Sequence, residues 1–242
     1  ALLFLHGYPL DGSLWRHQAG AFPGWRTLIP DLRGFGRSDA PDLGYSMATY
    51  ADDLAAMLDA LGVDDVVLAG LSMGGYVAFE FLRRHRPRVR ALALVDTRAT
   101  ADSAEGRKGR EIAMADAREG GAPLIAEQML PKLLAKSAPH ALSEEVREIM
   151  AGAPVPGLLG ALADMRDRPD STDLLAGLKG LPTLVVVGAE DVLTPLREAE
   201  GMAKAIPGAK LAIIPIAGHL APLEQPESFN RHLAALLAGV TE

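Results

Sequence analysis

Val66, Val67, Leu68 and Ala69 run directly into Gly70, Leu71, Ser72, Met73 and Gly74, and an apolar stretch follows from Tyr76 to Leu82. A short buried strand that must become a helix within one residue leaves the chain few conformations. The serine at the turn takes a strained backbone, and the residues two places either side must lack a Cβ so that strand and helix can pass closely. Tyr76, Val77, Ala78, Phe79, Phe81 and Leu82 make the helix apolar nearly all round, which marks it as central and buried. A serine hydroxyl lifted out of a sheet in this way suggests nucleophilic chemistry. With 25 glycines in 242 residues, the five-residue pattern alone has little weight. The rest of a reactive constellation has to be found elsewhere in the chain.

Short continuous apolar runs recur at 2–6, 27–30, 66–69, 91–96, 183–188 and 211–215. Continuous rather than alternating apolarity suits strands buried on both faces, and alternation with helical patterns suits a mostly parallel sheet flanked by helices. Met47, Tyr50, Ala51, Leu54, Met57, Leu58 and Leu61, for example, recur at helical spacing. The rhythm breaks over 97–180, where helical patterns at 103–119, 122–136, 143–150 and 157–165 are punctuated by prolines and no strand is read. The expectation is an α/β fold with a core of 1–96 and 181–242 and an inserted helical cap, 97–180, over the carboxyl ends of the strands, where open sheets of this kind bind ligands. The methionines at 114, 129, 150 and 165 are expected to pack that cap onto the sheet. The first run starts without a preceding turn, so residues upstream of it are expected in the full protein.

A chain of 242 residues is long enough for one such domain. Its net charge of -7 argues against nucleic acid and anionic membrane surfaces as partners, both of which need a basic face. The absence of cysteine excludes disulfides, thiolate nucleophiles and cysteine metal sites. No apolar stretch approaches the roughly 18 residues of a membrane helix. Residues 1–5 lack the basic flank of a signal peptide, so a cytoplasmic location is expected.

A serine hydroxyl is a poor nucleophile unless a base takes its proton. His219, in Ala217-Gly218-His219-Leu220 after the last apolar run, would stand on the same sheet edge as Ser72 and is the expected base. Asp191, in the turn after 183–188, is the expected orienting acid, with Glu190 and Asp96 as runners-up. Backbone N–H groups of Met73, directly after the nucleophile, and Tyr8, in the loop after the first run, are the expected oxyanion donors; Pro9 has no N–H to give. His6 is assigned a structural hydrogen bond at the base of that loop. Leu10 and Trp15 are candidates for the substrate pocket, with core packing as the competing reading. Residues 31–39 are rich in glycine but lack the lysine and spacing of a phosphate loop, and read as a structural turn. No histidine and carboxylate cluster has metal-ligand spacing, so no metal is expected.

Taken together, His6-Gly7-Tyr8-Pro9, the 31–38 segment, Gly70-Leu71-Ser72-Met73-Gly74-Gly75, Gly188-Ala189-Glu190-Asp191 and Gly218-His219 resemble the α/β-hydrolase superfamily along nearly the whole chain. The order Ser72, Asp191, His219 is that fold's order. Within it, Gly70 to Phe79, Asp96-Thr97-Arg98 and Arg168-Pro169-Asp170-Ser171-Thr172 are similar to bacterial carboxylesterases related to 3-oxoadipate enol-lactonases. The resemblance implies a helical cap, an acyl-serine intermediate and no cofactor. It departs at the start, where family members carry an antiparallel pair of strands before the one holding His6 and Gly7. The expected activity is hydrolysis of short to medium carboxylic esters. A lactonase or perhydrolase using the same triad is the alternative, and a non-catalytic small-molecule receptor the remote one.

Overall fold

Apolar runs with no polar face become strands of one sheet covered on both sides. A computed structural model describes residues 1–240. Its strands are β1 (Leu2–Leu5), β2 (Thr27–Leu28), β3 (Val66–Leu71), β4 (Val89–Val95), β5 (Thr183–Gly188) and β6 (Lys210–Ile214). They lie in the order β2-β1-β3-β4-β5-β6, every neighbouring pair parallel. Around them stand α1 (Met47–Ala60), α2 (Met73–His85), α3 (Ala104–Leu133), α4 (His140–Ala151), α5 (Val155–Asp167), α6 (Thr172–Leu175), α7 (Leu196–Ala205), α8 (Ala221–Glu224) and α9 (Pro226–Leu237).

Alternate residues of each central strand supply alternate cores. Leu3, Leu5, Leu68, Leu92, Leu94 and Val185 pack with α1, α2 and α7 on one face. Leu2, Phe4, Val67, Ala91, Ala93 and Val186 pack with α9 on the other. There the fully buried Trp15 lies between Phe4, 4.9 Å away between ring centres, and Phe229, 5.7 Å away. β6 departs from the expected buried run. It pairs only with β5, and Leu211 and Ile213 point outward half-exposed while Ala212 and Ile214 are buried. An edge strand has one covered face, whatever its composition.

The chain between β4 and β5 is helical. The two patterns at 103–119 and 122–136 form the two halves of α3, which meet at Gly121, where the backbone is not helical (φ 64°, ψ -161°). Pro123 falls in the first turn after the kink, where a missing N–H leaves no helical bond unmade. α3 packs against α4 and α5. α5 in turn rests on the turn at 31–39. Asp31 closes that turn by accepting from the N–H groups of Gly12 (2.8 Å) and Arg37 (3.0 Å), while its carbonyl accepts from Ser38 Oγ (2.6 Å). Gly34 has φ +87°, and a Cβ on Gly157 of α5 would overlap the Gly34 carbonyl. The glycines of this segment serve helix packing, and no phosphate cradle is needed to explain them.

Two glycine substitutions in helices should therefore have opposite signs. Gly201→Ala in α7 meets no atom within 4 Å and is expected to stabilise by roughly 0.5–1 kcal/mol. Gly157→Ala is expected to destabilise by about 1–3 kcal/mol through overpacking, despite the same gain in helix propensity. Urea midpoints of the two variants check this, and equal shifts would remove the proposed contact from consideration.

Candidate active site

The elbow is built by close approach. Ser72 lies between β3 and α2 with φ 54° and ψ -113°. Its N–H donates to Val95 (3.0 Å), and its carbonyl accepts from Gly75 N–H (2.9 Å) and from Thr97 Oγ1 (2.8 Å). A Cβ on Gly70 would run into the Gly74 carbonyl, one on Gly74 into the Leu5 carbonyl, and one on Gly75 into the Thr97 side chain. The loop after β1 presses on the same residue, since a Cβ on Gly7 would stand 3.1 Å from Ser72 Cβ. Four glycines thus fix one serine.

That loop is held from below by His6, which is fully buried. Its Nε2 accepts from Leu32 N–H at 2.9 Å and its Nδ1 donates to the Gly7 carbonyl at 3.0 Å. Burial pushes its pKa down, so the ring is neutral, as this pair of bonds requires. Leu10 N–H donates back to Gly7 at 2.9 Å, closing the turn around Tyr8. Among the described residues, neither the Tyr8 nor the Met73 amide donates to a protein acceptor. Met73 opens α2, whose N-terminal end favours negative charge.

Asp191 and His219 meet at the carboxyl ends of β5 and β6. Asp191 Oδ2 lies 2.8 Å from His219 Nδ1, and both side chains are buried. The carboxylate also accepts from Leu193 N–H (2.8 Å), Thr194 N–H (3.0 Å) and Thr194 Oγ1 (2.6 Å). Burial alone would raise its pKa, but the imidazole and these donors outweigh it and hold the carboxyl below the usual range. An ionised Asp191 selects the tautomer with hydrogen on Nδ1. His219 Nε2 is then the basic lone pair, and among the described residues it has no protein partner. His219 N–H donates to Leu133 at the end of α3 (2.8 Å), so the loop of the base leans on the helices between β4 and β5.

The two other carboxylates considered from sequence stand apart from the imidazole. Glu190 is exposed and accepts from Lys136 N–H at 3.3 Å. Asp96 is fully buried, with φ 44°. Its Oδ1 accepts from Gly188 N–H at 2.7 Å and its Oδ2 from Ala221 N–H at 3.3 Å. It therefore ties the strand that leads to Asp191 to the helix that follows His219. Glu224 does similar work, accepting from Gly218 N–H (2.8 Å) and Ala135 N–H (2.7 Å). Sequence reasoning missed Thr194, Thr97 and Glu224. A threonine three residues after Asp191 in a turn was a usable signal for the first; the contacts of Thr97 with Ser72 and of Glu224 with Ala135 are long-range and leave none.

A cavity of about 390 Å³ is bounded by Tyr8, by Leu193 two residues from the acid, and by Ile125, Met129 and Leu162. Leu10 borders a neighbouring one of about 320 Å³ with Phe35 and Ile149, while Trp15 sits in the core behind the loop. A cavity of about 520 Å³ between β2 and α1 is bounded by Leu32 and by none of Tyr8, Ser72, Met73, Asp191 and His219. Among the described residues, no group of three or more His, Asp or Glu could hold a metal ion, and no helix is long and apolar enough to cross a membrane.

Comparison with known proteins agrees with the fold. A family model described as alpha/beta hydrolase fold matches residues 1–226. The chain is 42% identical to a thermophilic esterase from Thermogutta terrifontis, with a TM-score of 0.95 over 100% of this chain and 90% of that one. An enol-lactonase from Burkholderia xenovorans LB400 is 25% identical, with a TM-score of 0.89 over 98% of this chain and 90% of that one. The AB hydrolase superfamily protein YisY of Bacillus subtilis (strain 168) is 30% identical over 242 residues, 96% of this chain and 90% of that protein.

The buried Asp96 leads to a pH-dependent prediction. Burial pushes its carboxyl well above the ordinary range, and the Asp191 charge adds to the effect. The folded state keeps a proton there that the unfolded chain releases near pH 4, so this stabilising contribution is whole below about pH 4 and is lost as pH rises through the folded-state value. Asp96→Asn removes that equilibrium together with one of two accepted hydrogen bonds. The variant's Tm should lie below the parent's at low pH and gain on it as pH rises above about 4, until pH passes the folded-state value. A difference in Tm that does not change with pH would mean that Asp96 is ionised in the fold.

Proposed function

The chain belongs to the α/β-hydrolase superfamily, and from that premise we propose that it is a serine hydrolase acting on carboxylic esters of short to medium acyl chain through an acyl-serine intermediate. The observation that carries the reading is Ser72 itself, held in a left-handed conformation on an elbow that only glycines permit. A strained residue at the carboxyl edge of a sheet serves no packing purpose, and such strain persists where a reactive group must be presented. The Asp191 and His219 pair at the same edge supplies what a serine needs.

In this reading Ser72 Oγ bonds to the ester carbonyl carbon while its proton passes to His219 Nε2. The imidazolium is stabilised by the Asp191 carboxylate through Nδ1–H. The carbonyl oxygen becomes an oxyanion and accepts from the Tyr8 and Met73 amides. Collapse of the tetrahedral adduct breaks the bond to the leaving alcohol, whose oxygen takes the proton from Nε2. Water, deprotonated in its turn by His219, then attacks the acyl-serine and releases the carboxylic acid and free Ser72. No group beyond the protein and water enters these steps.

Residues 97–180 are the cap in this scheme, with the cavity at Tyr8 and Leu193 beneath it as the substrate pocket. Leu10 bounds the adjoining cavity and Trp15 backs the loop through Phe4. A lactonase would use the same groups, and the likeness to an enol-lactonase makes a cyclic ester the natural comparison substrate.

Intact-mass analysis after treatment with an organophosphate ester tests the nucleophile. A single adduct on the parent and none on Ser72→Ala is expected. Hydrolysis of p-nitrophenyl butyrate should fall by at least about a thousandfold in Ser72→Ala and in His219→Ala. Rates on an enol-lactone beside that ester rank the two substrate classes. A folded parent that takes no adduct and turns over neither substrate would replace the enzyme with a binding protein on the same fold.

A further inference from the structure

Residues 97–180 bring three arginines onto one carboxylate. The Asp102 side chain is fully buried and receives Arg98 Nη2 at 3.0 Å, Arg110 Nε at 3.0 Å and Arg168 Nη1 at 2.8 Å. Burial alone would raise its pKa, but the guanidiniums hold it below the ordinary carboxylate range. Asp164 and Asp170 also lie in the field of Arg168, and Glu198 in that of Arg98, so what sets the cluster apart is the use made of its donors.

The three arginines are not equivalent. Arg168 is buried and fully engaged: it also donates to the carbonyls of Met165 (2.6 Å) and Thr100 (2.7 Å) and lies 4.0 Å over the Tyr76 ring. Arg98 and Arg110 instead line the cavity that Tyr8 and Leu193 bound. Arg98 Nε is buried without a partner among the described residues. Arg110 reaches Asp102 through Nε, and among the described residues its two terminal nitrogens have no protein acceptor. Tyr8 is 5% exposed, and its hydroxyl has no partner among the described residues either. Burial pushes that phenol upward, so it keeps its proton and is a donor. Lys132 stands at the same cavity wall; the second carboxylate there, Asp116, is engaged by Gln128 Nε2 at 3.0 Å. The cavity thus gathers donors that the protein itself leaves unanswered. Arg98 also follows Thr97, which grips the Ser72 carbonyl, so these donors are tied by one residue to the elbow.

We propose that this cavity is an anion subsite of the active site, and that the preferred substrates are esters carrying a free carboxylate a few methylenes from the ester group, bound by Arg98, Arg110 and the Tyr8 hydroxyl. The inference rests on the serine-hydrolase reading for the position of the ester group. A planar guanidinium presents paired N–H donors that match the two oxygens of a carboxylate. The carboxylates of Asp102 and Asp116 on the same wall offset part of the positive charge of Arg98, Arg110 and Lys132, which suits a monoanion better than a dianion. Ile125, Met129 and Leu162 supply apolar walls for the methylenes between the two ends.

The test compares the mono-4-nitrophenyl ester of glutaric acid with the neutral 4-nitrophenyl butyrate and with a trimethylammonium ester of similar length. Parent kcat/KM should favour the anionic ester over the neutral one by roughly tenfold or more, the scale of one charge-assisted hydrogen bond, and the cationic ester should be poorest. Arg110→Gln should lower the anionic-to-neutral ratio by about tenfold, mainly through KM, and Arg110→Lys should keep part of it. Lys132→Gln, on the cavity wall, should lower the ratio by a smaller factor and provides a second reading if Arg110→Gln does not fold. Calorimetric titration of glutarate onto the parent and onto Arg110→Gln reads the subsite without turnover, with binding expected in the first and lost in the second. A parent that does not prefer the anionic ester, an unchanged ratio in both variants, or no glutarate binding would overturn the proposal. Failure of every ester together with no adduct at Ser72 would overturn the hydrolase reading instead, and the glutarate titration would still decide the subsite.

Discussion

The whole carboxyl edge of the sheet depends on how closely three backbones approach around Ser72. Strand β3, helix α2 and the loop after β1 come within a carbon atom's width of one another, which is possible only because positions 7, 70, 74 and 75 have no Cβ. The approach has two consequences. It forces Ser72 into a left-handed conformation, at a cost of order 1–3 kcal/mol that the surrounding packing has to offset. It also points the start of α2 at the same place, so the helix dipole and an unbonded amide accompany the hydroxyl. Steric exclusion and electrostatics are here one arrangement.

The loops of Asp191 and His219 are kept in place by hydrogen bonds that cross between elements. Asp96 joins β5 to α8, and Glu224 joins the loop of His219 to the end of α3. Apolar residues would fill the same volume without a desolvation cost, but they would fix no direction. Each buried carboxyl accepts from two backbone N–H groups, and those donors would stand unsatisfied without it, at about 1–3 kcal/mol each. The loops are therefore held by what their backbones would lose elsewhere.

What could be read from the sequence was local, and what escaped it was long-range. The turn at Ser72, the strand before Asp191 and the glycine before His219 each announce themselves within ten residues. β5 was legible to the residue because it is central and apolar on both faces. β6 was legible as a strand, but its half-exposed Leu211 and Ile213 were not, since composition does not reveal which strand stands at an edge. The break within α3 was legible too, as two helical patterns on either side of Gly121, whose positive φ makes the break. Asp96 was visible as a strand-end carboxylate. Its partners, Gly188 and Ala221, lie 92 and 125 residues away, and no spacing rule reaches that far.

The arginines show the same limit in its sharpest form. Arg98, Arg110 and Arg168 are scattered over a segment whose helical patterns look like ordinary charged surface, and each would be read alone as solvated. Only the fold puts them on Asp102, and only then do the unpartnered nitrogens of Arg98 and Arg110 emerge. A surface ion pair contributes little because water answers either charge equally well. A donor buried without a partner is different, since it has lost water and gained nothing in return, and Arg98 Nε and the Tyr8 hydroxyl are such donors. An incoming carboxylate would then complete a hydrogen-bonded network that is already in place, so little ordering would remain to oppose its binding. The helices between β4 and β5 would in that case select the substrate as well as cover it, because Asp102, the carboxylate that joins their arginines, also bounds the cavity.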